Sequence, residues 1–248
     1  MTTSNVAPEH VARVPGTAKR WNRPVRLTAL YHEHVAWGAD LVQRDGWLIP
    51  HSYGGVEAER SALCQAAGLL DIGESGKVDL KSDEVDGVLT DVFPDAGGVE
   101  VGKMALDGAG ETRLCRLTND QALILIIPIA FQSTLDRLGR AVAERHCAHV
   151  TDISSGLCGV RLLGPVAPAV LARVSSLDLA PDRFDNLALA QGAVARIHAL
   201  IARRDGAGLP GYDLYVDRDL GAYLWDSLLE VGAPLGVRPV GRGVEEPA

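Results

Sequence analysis

The stretch Asp205–Val216, DGAGLPGYDLYV, carries Gly206, Gly208 and Gly211 in a G-x-G-x-x-G spacing. That spacing cradles a pyrophosphate when a strand precedes the glycines and a helix starts within them, because the helix N-terminus holds the negative charge. Here Gly211 is followed by Tyr-Asp-Leu-Tyr-Val, a strand pattern, and Pro210 suits a turn rather than a helix interior. The glycines are therefore expected to join two strands, and neither NAD nor FAD is expected on this chain. His32 and His34, two apart, point about 200° from each other on a helix and cannot share one ion. His146 and His149 are three apart and can face together, but no third ligand accompanies them, so no metal site is expected. No Ser-His-Asp or Cys-His arrangement stands out by spacing. Cys64, Cys115, Cys147 and Cys158 lack any C-x-x-C spacing and read as reduced, mostly buried thiols.

Composition narrows the partners. The net charge of −8 argues against nucleic acid, which needs clustered Lys and Arg. The one basic run, Arg13–Arg26, also carries Pro and Gly and reads as part of a solvated tail over residues 1–26. The longest apolar run, Ala122–Phe131, is ten residues with Pro128 inside, too short to span a bilayer of roughly 30 Å. No apolar signal core opens the chain. The expectation is a soluble, cytoplasmic protein with no nucleic-acid and no membrane partner.

The elements that position these residues alternate irregularly. Helical patterns are expected over Val56–Ala67, Glu84–Phe93, from a cap at Ser133 through Leu135, Leu138 and Val142, after Gly164-Pro165, and over Asp219–Val231. Strand patterns are expected over Lys77–Leu80, Ala122–Ile127 and Cys158–Leu163, with Val194–Ala202 and Tyr212–Val216 as a pair. Without a regular parallel rhythm, the mixture favours α+β over a doubly wound sheet.

Several motifs together resemble the glycine-cleavage T-protein, the folate-binding aminomethyltransferase family. RRDGAGLPGYDLYV is similar to its R-T-G-Y-T-G-E-D-G-F-E-L-Y-V segment. LTALYHEHVAWGADLVQRDGWLIPHSYGG resembles its opening, AAGLLDIGESGKVDL its A-G-L-F-D-V-S-H-M-G-K-V-x-L, RLLGPVAPAVL its L-x-G-P-x-A-x-x-x-L, and LWDSLLEVGAPLGVRPVGRG its C-terminal helix and turn. The matches keep their order from Leu27 to Gly243. The second half, through SLDLAPDRF and YDLYVDRDLGAYLWDSLLE, also resembles the gamma subunit of multi-subunit sarcosine oxidase. The resemblance implies two α+β subdomains around a central folate pocket, one discontinuous over 27–51 plus 151–248 and one inserted over 52–150. It also implies that no C-terminal barrel follows Gly243, which leaves a cavity wall for a protein partner or a second copy to cover.

The family's ligand shell maps incompletely onto this sequence. Asp213 stands at the G-F-E glutamate, the expected reader of a flat pterin; the other reading is a solvent-facing strand residue. Glu111 stands at the catalytic aspartate of G-G-x-I-D-D-L in an ungapped alignment; the other reading is a turn residue. Gly206 replaces the T-G-Y tyrosine, Glu245 the G-L-G-A-R-D arginine, and Gly73-Glu74-Ser75-Gly76 the S-H-M-G loop. Pro128 and Phe131 replace asparagines. Arg203 and Arg204 are clamps for a glutamate tail or gatekeepers of a strand edge. Arg242 either reaches the pocket mouth or is solvated. Three functions follow from the resemblance: tetrahydrofolate-dependent aminomethyl or methyl transfer with a partner subunit, a non-catalytic gamma-type subunit of an amine oxidase or demethylase, or an enzyme whose old folate pocket holds another small molecule.

Overall fold

The computed structural model describes residues 25–245 apart from Gly97 and Ala109. The tail expected over 1–26 lies outside the described residues except for Val25 and Arg26, and Arg26 already belongs to a strand. In chain order the elements are β1 (Arg26–Leu27), α1 (Tyr31–Ala36), β2 (Asp40–Arg44), β3 (Trp47–Ser52), α2 (Val56–Gln65), β4 (Gly68–Asp71), β5 (Gly76–Lys81) and α3 (Val85–Val92). They continue with β6 (Met104–Asp107), β7 (Thr112–Thr118), β8 (Gln121–Ile126), α4 (Phe131–Ala143), β9 (His149–Asp152), β10 (Leu157–Leu163) and α5 (Ala167–Val174). The last are β11 (Leu189–Val194), β12 (Ile197–Arg203), β13 (Gly211–Asp217), α6 (Gly221–Gly232) and β14 (Arg238–Pro239).

Three open sheets result: β1-β3-β2, β11-β12-β13-β10-β4-β14 and β6-β7-β8-β5-β9. All pairs are antiparallel except β1 with β3 and β14 with β4. The architecture is the expected α+β. Against the division at residues 52 and 150, β4 lies in the six-stranded sheet, where Leu69 and Leu70 register with Leu162 and Arg161 of β10. The strands of the five-stranded sheet run from residue 76 to residue 152.

Period-two alternation sets the layers. On β13, Tyr212, Leu214 and Val216 enter a core shared with Val170 and Leu171 of α5 and Leu224, Trp225 and Leu228 of α6. On the five-stranded sheet, Val78, Leu80, Leu114 and Ile124 pack against Val88 and Leu89 of α3 and Leu138 of α4. The other faces of the two sheets meet through Cys115, Leu123, Leu125, Leu200, Ala202 and Tyr215. This layer between the sheets matters for function, because Arg113, Arg161 and Asp213 are buried in it.

Three local expectations change. Val194–Ala202 is not one strand: Ala195 and Arg196 take positive φ (49° and 69°) and make the tight turn of the β11–β12 hairpin. Ser133 does not cap α4. The helix starts at Phe131 after a 3-10 turn, and the Ser133 hydroxyl donates to the Ala130 carbonyl instead. Cys115 and Cys158 are buried, whereas Cys64 and Cys147 are exposed; all four are free thiols.

Two buried polar ties fix the N-terminal segment. His34 on α1 bonds through Nε2 to Asp71 Oδ2 at 2.8 Å, and its Nδ1 meets the Tyr53 hydroxyl at 2.7 Å. Glu59 on α2 accepts from the backbone N–H groups of Tyr53, Gly54 and Gly241 at 2.5, 3.1 and 2.7 Å. The second tie holds the C-terminal segment that carries Arg242.

Candidate functional site

A cavity of about 460 Å³ opens where the three sheets converge. Its walls come from the β2–β3 turn, the β4–β5 loop, the β6–β7 hairpin, the segment after β8, the end of β12 and the 3-10 turn Arg242–Glu245. This volume falls in the range of small-molecule sites. The glycine stretch joins β12 to β13 as a strand-to-strand connection, with Ala207 and Gly208 at φ 52° and 75° and Gly206 bridged to Leu209. That two-residue turn with both φ values positive is a hairpin device.

Alternation decides which charged residues reach the cavity. Leu200 and Ala202 of β12 face the layer between the sheets, so Arg204 follows in phase and lines the cavity. Arg203, one residue out of phase, points to the other side. It forms a two-pronged pair with Asp205, at 3.0 Å from Nε and 2.8 Å from Nη2, and donates to the carbonyls of Pro181 and Phe184. On β7, Cys115 faces the layer and Arg113 precedes it in phase, lining the cavity. On β10 and β13, Arg161 and Asp213 are register partners in the same layer.

Asp213 is fully buried and holds three guanidinium groups. Arg161 Nη1 donates to Oδ1 at 2.7 Å; Arg113 Nη1 and Arg204 Nε donate to Oδ2 at 3.0 Å each. Burial pushes the carboxyl pKa up, but Arg161, Arg204 and Arg113 outweigh it and hold the value at about 2. Both expected readings of Asp213 therefore change. It does not face solvent, and its oxygens are taken by arginines that stand between it and the cavity. The depressed pKa has a stability consequence. Relative to the ordinary value of 3.8, the ionised carboxylate stabilises the fold above about pH 4, and this is lost as pH falls through about 2. About 2 kcal/mol is expected to disappear over that window. Acid melts of the parent and of Asp213→Asn check it: the parent should lose stability more steeply between pH 4 and 2.

The β4–β5 loop carries a different group. Glu74, in the β4–β5 loop, lines the cavity with its side chain 8% exposed. Its Oε1 pairs with Arg242 Nη2 at 3.1 Å, while its Oε2 is buried and has no hydrogen-bond partner among the described residues. Burial raises the Glu74 pKa above its ordinary value, and Arg242 only partly offsets this. Arg242 lines the cavity, and its Nη2 also pairs with Glu245 at 3.1 Å. An unpaired buried carboxylate oxygen is a costly feature that a donor from a ligand would satisfy.

The sequence-derived candidates thus part company. Arg242 is at the cavity, Asp213 stands behind its wall and Arg203 faces away. Glu111 is exposed at the turn before β7, where its carbonyl accepts from Ile127 N–H; Gly110 and Arg113 are the neighbours that line the cavity. Glu74 and Arg113 were not legible as site residues. Arg113 carries a signal in retrospect, a charge in phase with an apolar strand face. Glu74 sits in a loop with no periodicity, and only its place in the segment that replaces the S-H-M-G loop marks it. Among the described residues, no group of three or more His, Cys, Asp or Glu is placed to hold a metal ion, and no helix is long and apolar enough to cross a membrane.

The cavity lies between sheets of an α+β protein and is walled by guanidiniums and carboxylates, among them the half-satisfied Glu74. The chain belongs to the family described as the GCVT N-terminal domain, which matches residues 30–246. It is 28% identical over 232 residues to the aminomethyltransferase of Desulforamulus reducens and 27% identical over 234 residues to that of Bacillus cereus strain AH187. Each match covers 90% of this chain, and the chain spans 62% of the length of these relatives. The fold is similar to the glycine cleavage system aminomethyltransferase T from Bartonella henselae, with a TM-score of 0.74, 20% identity, and coverage of 89% of this chain and 60% of that one. It is also similar to a chain of the heterotetrameric sarcosine oxidase from Corynebacterium sp. U-96, with a TM-score of 0.61, 20% identity, and coverage of 74% and 93%.

Proposed function

We propose that the chain binds a tetrahydrofolate-type cofactor in the central cavity and takes part in aminomethyl or methyl transfer together with a partner subunit. The observation that carries this reading is the unsatisfied Glu74 Oε2 on the wall of a 460 Å³ cavity, in a chain of this family. A pterin edge presents N–H donors, and a carboxylate oxygen accepts them. Bound folate would supply the nitrogen that carries the one-carbon unit. Glu74 would orient the ring through Oε2, with Arg242 steadying the other oxygen. Ile49, Ile72, Ile127 and Pro128 give the cavity its apolar surface, which excludes water from the ring.

The test is calorimetric titration and thermal shift with tetrahydrofolate. At a hundred times the dissociation constant, a single-site ligand adds about 2.7 kcal/mol of stability. Glu74→Gln is expected to weaken binding roughly ten- to a hundredfold, since a hydrogen bond to a charged group is worth about 1.5–3 kcal/mol. Unchanged affinity in Glu74→Gln would remove the pterin-reading role, and no shift with any reduced folate would overturn the proposal.

A second reading rests on the β6–β7 hairpin, where the resemblance implies a catalytic acid. The hairpin side chain that reaches the cavity from β7 is Arg113, a cation. This favours a gamma-type supporting subunit, in which the cavity binds without doing chemistry. Co-purification with a flavin amine oxidase, together with folate binding and no transfer activity in isolation, would select it.

A further inference from the structure

One carboxylate, Asp213, faces three guanidiniums in the layer between the sheets. Neighbouring charges restore the balance only in part. Arg203 is matched by Asp205, and Arg242 by Glu74 and Glu245, which leaves one acid in excess whose charge also acts on Arg113. Arg161 is sealed in, 2% exposed, and its short contact takes Oδ1 of Asp213. Arg113 and Arg204 share the remaining oxygen, and both line the cavity. Each has spare donors on that side. Arg113 Nη2 makes only a 3.4 Å contact to Ser75 Oγ, and among the described residues the two Nη groups of Arg204 have no partner. The Arg204 side chain is 28% exposed, so it is within reach of a ligand entering the cavity.

Two guanidiniums fixed on one oxygen cannot separate, although their like charges repel. A buried cation without its counter-charge is expensive, and an oxyanion placed between two guanidinium forks relieves that expense with charge-assisted hydrogen bonds. We propose that Arg113 and Arg204, held in place by Asp213, form an oxyanion site on the cavity wall that takes the carboxylate or phosphate group of a ligand. Asp213 is the positioning residue, and the two arginines are the contacts. Glu74, also on the cavity wall, adds an acceptor for N–H donors of the same ligand. The site does not depend on the ligand being a folate.

The experiment measures the melting temperature of the whole chain in rising malonate, acetate or inorganic phosphate, against chloride at matched ionic strength. A saturating rise above chloride is expected in the parent. Arg204→Gln, the least buried change available, should weaken the response roughly tenfold or more, and Arg204→Lys should keep part of it. A stronger response to the carboxylates assigns a carboxylate ligand, and a stronger response to phosphate assigns a phosphate ester; either supports the site. A parent response no larger than chloride's, or an undiminished response in Arg204→Gln, overturns it. Tetrahydrofolate binding without any oxyanion response would sink this inference alone. An oxyanion response without folate binding would sink only the folate reading.

Discussion

Asp213→Ala is expected to destabilise the fold by about 3–5 kcal/mol, the usual consequence of removing one partner from a buried ion pair. The loss is large because three guanidiniums converge on this one side chain, at 2.7, 3.0 and 3.0 Å, in a layer closed to water. For a chain of this length each kcal/mol corresponds to roughly 2–4 °C, so the melting temperature should fall by roughly 6–20 °C. Asp213→Asn separates charge from volume. It keeps the packing and removes the charge, and most of the loss should remain. A melting temperature within a degree or two of the parent for both variants would show that the arginines do not rely on this carboxylate. The comparison with Arg204→Gln is informative. Removing one arginine leaves Asp213 two partners, so that variant should lose far less stability than either change at Asp213.

His34→Ala should have an effect of similar size, about 3–5 kcal/mol, for a related reason. The imidazole is fully buried and joins two groups that have few alternatives. Asp71, at the end of β4, is buried too. Burial raises its pKa, and the hydrogen bond and charge of His34, together with the Thr28 side chain and the Gly73 N–H, more than reverse this. Without His34 the carboxylate keeps only local partners such as the Gly73 N–H at 2.7 Å. The Tyr53 hydroxyl also loses its hydrogen-bond partner, and the Trp225 ring loses an edge-on neighbour 5.5 Å away. The tie joins α1 to the six-stranded sheet, so its loss should loosen the segment before β2. Hydrogen exchange should show the new protection loss concentrated at Tyr31–Trp37, and Tyr53→Phe should reproduce only a small part of the effect. Equal stability of His34→Ala and the parent would show that the contact is incidental.

Much of this protein was legible in its sequence. The α+β class, the strand after Gly211, the helices after Pro165 and Asp219, and the family follow from alternation, turn residues and ordered motifs, all of which act over short stretches. The first losses were at hairpins. Ala195 and Arg196 are not turn-forming types, so their positive φ values are imposed by the pairing of β11 with β12 rather than by local preference. The site was harder to read. Arg203 and Arg204 are adjacent and alike, yet one binds the loop carbonyls of Pro181 and Phe184 and the other faces the cavity. Strand phase separates them, and phase is fixed only once both sheets are in place. Asp213 occupies a position where the family carries an acid, but three arginines from β7, β10 and the end of β12 surround it, two of them distant in sequence. Glu74 became a candidate because the C-terminal turn brings Arg242 to one of its oxygens and leaves the other bare. Residue types and local pattern determined which elements form. The pairing of side chains from distant strands in a low-dielectric layer decided which charges are spent on the fold and which remain for a ligand.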